Sequence, residues 1–158
     1  MFLHGDNGLT LPRGATGFFR REDGPLPETD LRAFRSAVHT AARLAGGSVD
    51  EVRERAYPST FHSATVTDRA GEHAVRCHAH HPWIAFSPKP RHGDGEEFHA
   101  PPAWARAFAG AGFEVLGIEQ LATPLSGLDA SVLTEDEWRE ARYHGVTTVG
   151  EVLFNAWD

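Results

Sequence analysis

Histidine is the residue type that stands out for its chemistry in this sequence. The chain has ten histidines among 158 residues, and the densest group is Cys77-His78-Ala79-His80-His81. Imidazole nitrogens are metal ligands, and because they titrate near neutral pH they also act as general acids and bases. Residues 77–81 are therefore the first candidates for chemistry.

A zinc site made of three histidines is the most specific hypothesis that this group suggests. If a turn at 68–72 joins two antiparallel strands, residue 67 pairs with residue 73, which places His62 opposite His78 and Thr60 opposite His80. His62, His78 and His80 would then share one face. Three ring nitrogens can bind Zn²⁺ and leave a fourth position for an acidified water molecule. Such a site predicts a metal-dependent hydrolase or hydratase.

Two other interpretations of the same histidines stay open. Arg76, His78 and His80 can form the solvated face of an edge hairpin. Alternatively, neutral histidines can line a metal-free small-molecule site or act as a general base, with Glu97 or His99 as the partner. The sequence alone leaves these alternatives undecided.

The single cysteine and the short motifs give little support to other kinds of catalysis. Cys77 alternates onto the apolar face of its strand, which predicts a buried side chain rather than a nucleophile. The sequence contains no Gly-x-Ser-x-Gly elbow and no glycine-rich phosphate loop. A serine-hydrolase triad and a nucleotide site are therefore not indicated.

The histidines are carried by segments that read as β-strands. Residues 59–67 are rich in β-branched and small side chains, 68–72 have turn chemistry, and 73–81 alternate in polarity. Residues 83–86 are apolar on both faces, which predicts a central third strand. Residues 113–118 predict one more strand, and residues 17–20 are a further candidate.

Helices are predicted before and after these strands in the sequence. An apolar stripe from Leu31 to Ala45, with an N-cap at Thr29 or Asp30, predicts the first helix. Capping boxes at 48–51, 134–137 and 148–151 predict three more, and a proline pair predicts another over about 101–110. This block order predicts an α+β fold, with a mostly antiparallel sheet, helices packed on one face and a single domain over 1–158.

Charge is distributed unevenly along the chain. Residues 1–89 carry 11 basic and 10 acidic side chains, whereas residues 90–158 carry 4 and 12. An acidic field repels phosphate backbones and anionic lipid and attracts basic proteins, so we expect no nucleic acid and no membrane as partner. The alternative is that the acidity serves solubility alone. The candidate partner-binding residues are Asp94, Glu96, Glu97, Glu135, Asp136 and Glu140.

Three functional hypotheses follow. One cysteine, with no recognisable signal peptide or membrane span, indicates a cytoplasmic protein. The leading hypothesis is a small acidic binding protein without a cofactor that recognises a basic protein, as an inhibitor or immunity protein does. The alternative is an enzyme that uses the histidines, in one version with zinc. The third is a regulatory subunit or homo-oligomer whose interface includes aromatic residues near the two ends of the sequence.

Overall fold

A computed structural model describes residues 9–10, 15, 26–56, 59–88, 98–125, 128–129 and 135–155, with only the backbone described at 9–10 and 128–129. In chain order the elements are β1 (Leu9–Thr10), α1 (Leu31–Ala45), β2 (Ser48–Arg53), β3 (Phe61–Asp68), β4 (Gly71–His78), β5 (Trp83–Pro88), a 3-10 turn (Ala103–Ala105), α2 (Arg106–Gly110), β6 (Glu114–Val115), α3 (Ile118–Leu121), β7 (Leu128–Asp129), α4 (Glu135–Tyr143) and α5 (Val149–Leu153).

The main sheet has five strands in the order β2-β3-β4-β5-β6. All neighbours are antiparallel except β5 and β6, which are parallel. A separate parallel pair joins β1 to β7. The α+β class, the mostly antiparallel sheet and the helices packed against it are confirmed. The central position of β5 is also confirmed, since Trp83, Ile84, Ala85 and Phe86 are all buried.

Helix α1 forms as its sequence predicts. The Asp30 side chain is the N-cap, and its Oδ1 accepts hydrogen bonds from the backbone N–H groups of Arg32 at 2.9 Å and Ala33 at 3.2 Å. The helix ends at Gly46, which has a left-handed φ of 67°. One side of the helix is buried against the sheet.

The predicted helix over residues 48–55 is wrong, because Ser48–Arg53 forms strand β2 and pairs with β3. A Cβ atom at Gly47 would overlap the carbonyl oxygen of Thr67, so glycine is what permits the close approach at the start of this pairing. The local capping signal at Ser48 is worth about 0.5–2 kcal/mol. Backbone pairing along the whole strand outweighs it.

Two hydrophobic cores lie on opposite faces of the sheet, because Ile84 and Phe86 alternate with Trp83 and Ala85 along β5. The first core packs α1 and α2 on the face that bears Ile84 and Phe86. The second packs α3, α4 and α5 on the face that bears Trp83 and Ala85. We call this second layer the C-terminal helical layer. The sequence pattern predicts α4 and α5 but places all helices on one face of the sheet, whereas the structure has helices on both faces.

A hydrogen-bonded junction anchors the C-terminal helical layer to the start of β3. The Thr60 hydroxyl donates to the Leu153 carbonyl at 2.9 Å and accepts from the Asn155 N–H at 3.0 Å. The Thr60 N–H donates to the Asn155 carbonyl at 2.8 Å. Two segments more than 90 residues apart are therefore joined.

The other predicted elements are present in part. Helices α4 and α5 are confirmed, and the Thr148 hydroxyl caps α5 by accepting from the Glu151 N–H at 3.4 Å. The strand expected over 113–118 is reduced to the two residues of β6. The strand candidate at 17–20 lies outside the described residues. Among the described helices, none has the length and hydrophobicity required to cross a lipid bilayer.

Candidate functional site

The register of the β3–β4 hairpin decides which histidines share a face. The turn contains two residues, because the Asp68 carboxylate accepts from the N–H groups of Ala70 at 2.8 Å and Gly71 at 3.2 Å, with Gly71 at φ 128°. Asp68 therefore pairs with Gly71, and His62 pairs with Cys77 rather than with His78. The predicted register is wrong by one residue, which moves His62 to the opposite face from His78.

His62 faces helix α1. Its ring stacks on Phe34 with centroids 6.4 Å apart, and its Nδ1 accepts the Arg55 N–H at 2.9 Å. The proton of the neutral ring is therefore on Nε2. Burial lowers the pKa of His62 below 6.5, which favours this neutral form.

His78 lies on the other face and is fully buried. Its Nε2 donates to the Ala15 carbonyl at 2.9 Å, and its Nδ1 accepts the His80 N–H at 3.0 Å. Both ring nitrogens of a neutral tautomer are thus engaged, and Trp83 packs on the ring with centroids 5.0 Å apart. Burial lowers the pKa of His78 to about 3. These contacts make His78 a structural residue rather than a free ligand.

His80 is also buried, and its Nδ1 donates to the Pro27 carbonyl at 2.9 Å. Its ring centroid is 5.8 Å from that of His78. Burial lowers the pKa of His80. Within the described residues, no three or more His, Cys, Asp or Glu side chains are grouped to hold a metal ion. The hairpin does not bring His62, His78 and His80 together as a set of ligands.

The structure also excludes the solvated hairpin face. Strand β4 is internal to the sheet, and Arg76, His78 and His80 are all buried. The guanidinium of Arg76 lies over the ring of Phe61, 4.9 Å from its centroid. Cys77 is buried, as expected, and burial raises the pKa of its thiol, so the nucleophilic thiolate is disfavoured.

A different histidine pair lies at the opposite end of β4, beside the turn. The Nε2 atom of His73 is 2.9 Å from Asp68 Oδ1, and the Nδ1 atom of His73 is 3.2 Å from His99 Nε2. The Nδ1 atom of His99 is 2.8 Å from the Ala100 carbonyl. The Trp104 indole N–H donates to Asp68 Oδ2 at 2.9 Å. We call this series the Asp68–His73–His99 chain.

The hydrogen-bond partners assign the tautomers of the two rings. The Asp68 carboxylate at one end and the Ala100 carbonyl at the other both accept, so His73 Nε2 and His99 Nδ1 each carry a proton. The Nδ1 atom of His73 and the Nε2 atom of His99 then face each other at 3.2 Å.

The pKa of Asp68 is lowered to about 2, mainly by the Trp104 hydrogen bond and further by the bonds from His73 and Ala70. The sequence analysis considered His99 as a partner but missed His73. With the observed turn, Asp68 and His73 fall on the same face of the hairpin, so a correct turn assignment would have revealed their proximity.

The acidic partner-binding candidates are only partly within the described residues. Asp94, Glu96 and Glu97 lie outside them. Glu135 is exposed at the start of α4, Asp136 is 3.3 Å from Arg139, and Glu140 is 3.6 Å from His144. The three described candidates therefore occupy the outer side of one helix.

The helices on the two faces of the sheet differ in charge. Helices α1 and α2 carry four arginines and no carboxylate. Helices α3, α4 and α5 have two arginines against five carboxylates that are exposed or partly exposed. The five are Glu119, Glu135, Asp136, Glu140 and Glu151. The sheet thus separates a basic helical layer from an acidic one.

Comparison with family models, with curated proteins and with solved structures finds no match for this chain. The functional argument therefore depends on the arrangement of its own residues.

Proposed function

We propose that this protein is a small cytosolic binding protein that recognises a basic protein partner through the C-terminal helical layer. The single observation that supports the proposal best is the separation of charge across the sheet. Carboxylates from three different helices are presented on one face, while the helices of the other face carry only basic charges. An inhibitor or immunity protein that neutralises a basic toxin has this type of surface.

The acidic layer has a physical basis for partner recognition. Residues 90–97, which lie outside the described residues, add three carboxylates to the acidic part of the sequence. A field of one sign raises the local concentration of a partner of opposite sign and speeds association. Helix-dipole stabilisation favours the carboxylates in the first turns of all three helices, including Glu119 of α3 and Glu151 of α5. Glu140 lies beyond the first turn of α4, so this effect does not account for its position.

The test uses basic proteins encoded by the reading frames next to the gene of this protein. Each basic protein is purified, and its rate of association with this chain is measured by stopped-flow mixing or surface plasmon resonance at about 20 mM and 0.5 M salt. Because the Debye length falls from about 20 Å to a few ångströms, we expect association to slow by about tenfold or more. An association rate that does not depend on salt would contradict the proposal.

A matched pair of variants separates the acidic layer from net charge. Replacing Glu119, Glu135 and Glu140 with Gln should slow association with the basic partner by about tenfold. Replacing three exposed arginines of α1 with Gln, as control, should leave association as fast or slightly faster because the chain becomes more negative. Equal slowing by both sets would count against the acidic layer as the binding surface.

A second candidate function is metal-free acid–base catalysis, which the Asp68–His73–His99 chain favours. A carboxylate that orients one imidazole against another is an arrangement that holds and transfers protons. A panel of ester, amide and phosphoester substrates tests it. Activity should fall by about 100-fold or more in His99→Ala and persist in His39→Ala, a control on α1. If His99→Ala kept the activity as fully as His39→Ala, this candidate function would be ruled out.

A further inference from the structure

A stripe of basic side chains runs along the solvent side of α1. Arg32, Arg35, His39 and Arg43 follow one another at intervals of three or four residues, and all four are exposed. At 1.5 Å of rise per residue the stripe is about 16 Å long. We call these four residues the α1 basic stripe.

The stability of α1 explains Arg43, which lies in the last turn near the negative end of the helix dipole, but not the rest of this stripe. The helix contains no Asp or Glu between its first and last residues, and none of the three arginines forms an ion pair with a carboxylate in the described part of the chain. Like charges three or four residues apart cost a helix about 0.2–0.5 kcal/mol per pair. On α4, by contrast, Arg139 is paired with Asp136.

We infer that the α1 basic stripe docks against the acidic C-terminal helical layer of a second copy of this chain. The two surfaces lie on opposite faces of the same sheet, so a single copy cannot join them to each other. Each copy carries both surfaces, and both can be used at once. The association is therefore head to tail.

A second copy fits the stripe better than a nucleic acid does. The stripe covers only about three helical turns, whereas the whole chain carries a formal charge of −7, which opposes a long phosphate polymer. A second copy supplies carboxylates on α4, together with Glu119 and Glu151 from the other two helices of the same layer. Complementary charge is thus available without an outside partner.

The geometry predicts the form and strength of the association. A head-to-tail contact leaves one unused surface at each end of the assembly unless the rotation between copies closes a ring, so the average mass should rise with concentration and should not stop at a dimer. Exposed ion pairs contribute up to about 1 kcal/mol each and are screened by salt. The association is therefore weak and appears at high protein concentration and low salt.

The experiment is sedimentation velocity on the full chain at about 1 mM, in about 10 mM and 0.5 M salt. We expect the weight-average mass to exceed that of the 17.3 kDa monomer at low salt and to return to it at high salt. A monomer under both conditions, or a dimer plateau that salt does not affect, would overturn the inference.

Two charge-reversed variants test the pairing directly. One has Arg32→Glu, Arg35→Glu and Arg43→Glu, and the other has Glu119→Arg, Glu135→Arg and Glu140→Arg. Each variant alone presents two faces of the same sign and should stay monomeric. Their equimolar mixture should regain the mass of the wild type, a result that unfolded variants could not give. A mixture that stays monomeric would overturn the inference.

Binding of a 20-base-pair DNA duplex tests the alternative that a nucleic acid, and not a second copy, binds the α1 basic stripe. Duplex binding by the wild type without self-association would overturn the inference. The proposed function fails separately, because the arginine variant keeps the acidic layer and should still bind a basic partner. If the wild type binds a basic partner but stays monomeric at low salt, the docking of a second copy fails while the proposed function stands.

Discussion

Protonation of His78 should control the acid stability of this protein. The folded state holds the ring neutral, with a pKa of about 3, whereas in the unfolded chain the pKa is near 6.5. Below pH 6.5 the unfolded chain therefore binds a proton that the folded chain does not. The contribution of the neutral His78 ring to the free energy of unfolding is fully present above pH 6.5 and is lost as the pH falls from 6.5 toward 3.

The size of the effect follows from the difference between the two states. Each pH unit in this window lowers the free energy of unfolding by about 1.4 kcal/mol, so acidification to pH 4.5 costs on the order of 3 kcal/mol. Domains of this size are stable by about 5–15 kcal/mol, so the loss is a substantial fraction. The lowered pKa values of His62 and His80 act in the same direction.

The assay is urea unfolding at pH 7.0, 5.5 and 4.5, followed by tryptophan fluorescence, since Trp83 lies against His78. His78→Phe leaves the Ala15 carbonyl and the His80 N–H without their partner, so it should lose about 2–4 kcal/mol at pH 7. Its stability should nevertheless fall more slowly with acidification, by about 1 kcal/mol per pH unit less than in the wild type.

The control for His78→Phe is His39→Gln at an exposed position of α1, which should keep the wild-type pH dependence. If His78→Phe and the wild type lost stability in parallel between pH 7.0 and 4.5, the account of His78 as the acid-sensitive residue would be refuted.

Three further predictions concern other parts of the structure. Asp68→Asn should lower stability by about 1–2 kcal/mol above pH 4, since the lowered pKa of this partly exposed carboxyl reflects favourable hydrogen bonds; urea unfolding at pH 7 checks it, and an unchanged midpoint would contradict it. Gly150→Ala should lower the free energy of unfolding by about 1–3 kcal/mol, because the added Cβ atom would lie 2.7 Å from the Phe98 ring. The control is Gly110→Ala, where the added Cβ has open space, so its midpoint in thermal melts should be unchanged or higher. Cys77 should resist a thiol reagent in the native protein and react fully in denaturant, and rapid native labelling would show that the thiol is accessible.

The parts of the fold that the sequence predicts are those decided by neighbouring residues. Helix α1 has its cap, its apolar stripe and its terminal glycine within one continuous segment. Strand β5 is a short apolar run that is buried on both faces, and its central position follows from that pattern. Both predictions were correct because no distant contact opposes these signals.

The parts of the fold that the sequence does not predict are of two kinds. Some depend on contacts between distant residues, and one depends on the exact length of the turn between β3 and β4. Residues 48–51 have a helix-start pattern, but pairing with β3 prevails. The turn residues 68–72 are compatible with turns of different length, and a difference of one residue in register is enough to reverse the face of His62. The C-terminal helical layer depends on contacts such as that between Thr60 and Leu153, which no local pattern encodes.

The same limits apply to the candidate site. The three histidines of the zinc hypothesis are present, but backbone carbonyl and N–H groups engage them individually. The Asp68–His73–His99 chain needs the correct turn and also the placement of residues 98–104, which the sequence pattern leaves open. The acidity of residues 90–158, in contrast, needed no coordinates. Helices α3, α4 and α5 of this part form the acidic layer, whereas α2 packs with α1 on the other face.

The junction between Thr60 and Asn155 has a consequence for synthesis on the ribosome. The face of the sheet that bears Trp83 and Ala85 is covered mainly by residues that emerge about 30 to 70 residues after it. Until then this apolar surface stays open on the nascent chain, where chaperones or neighbouring nascent chains can bind it. We therefore expect a ribosome-bound chain stalled after α2 to remain sensitive to protease, and to gain resistance only after α5 and Asn155 have emerged.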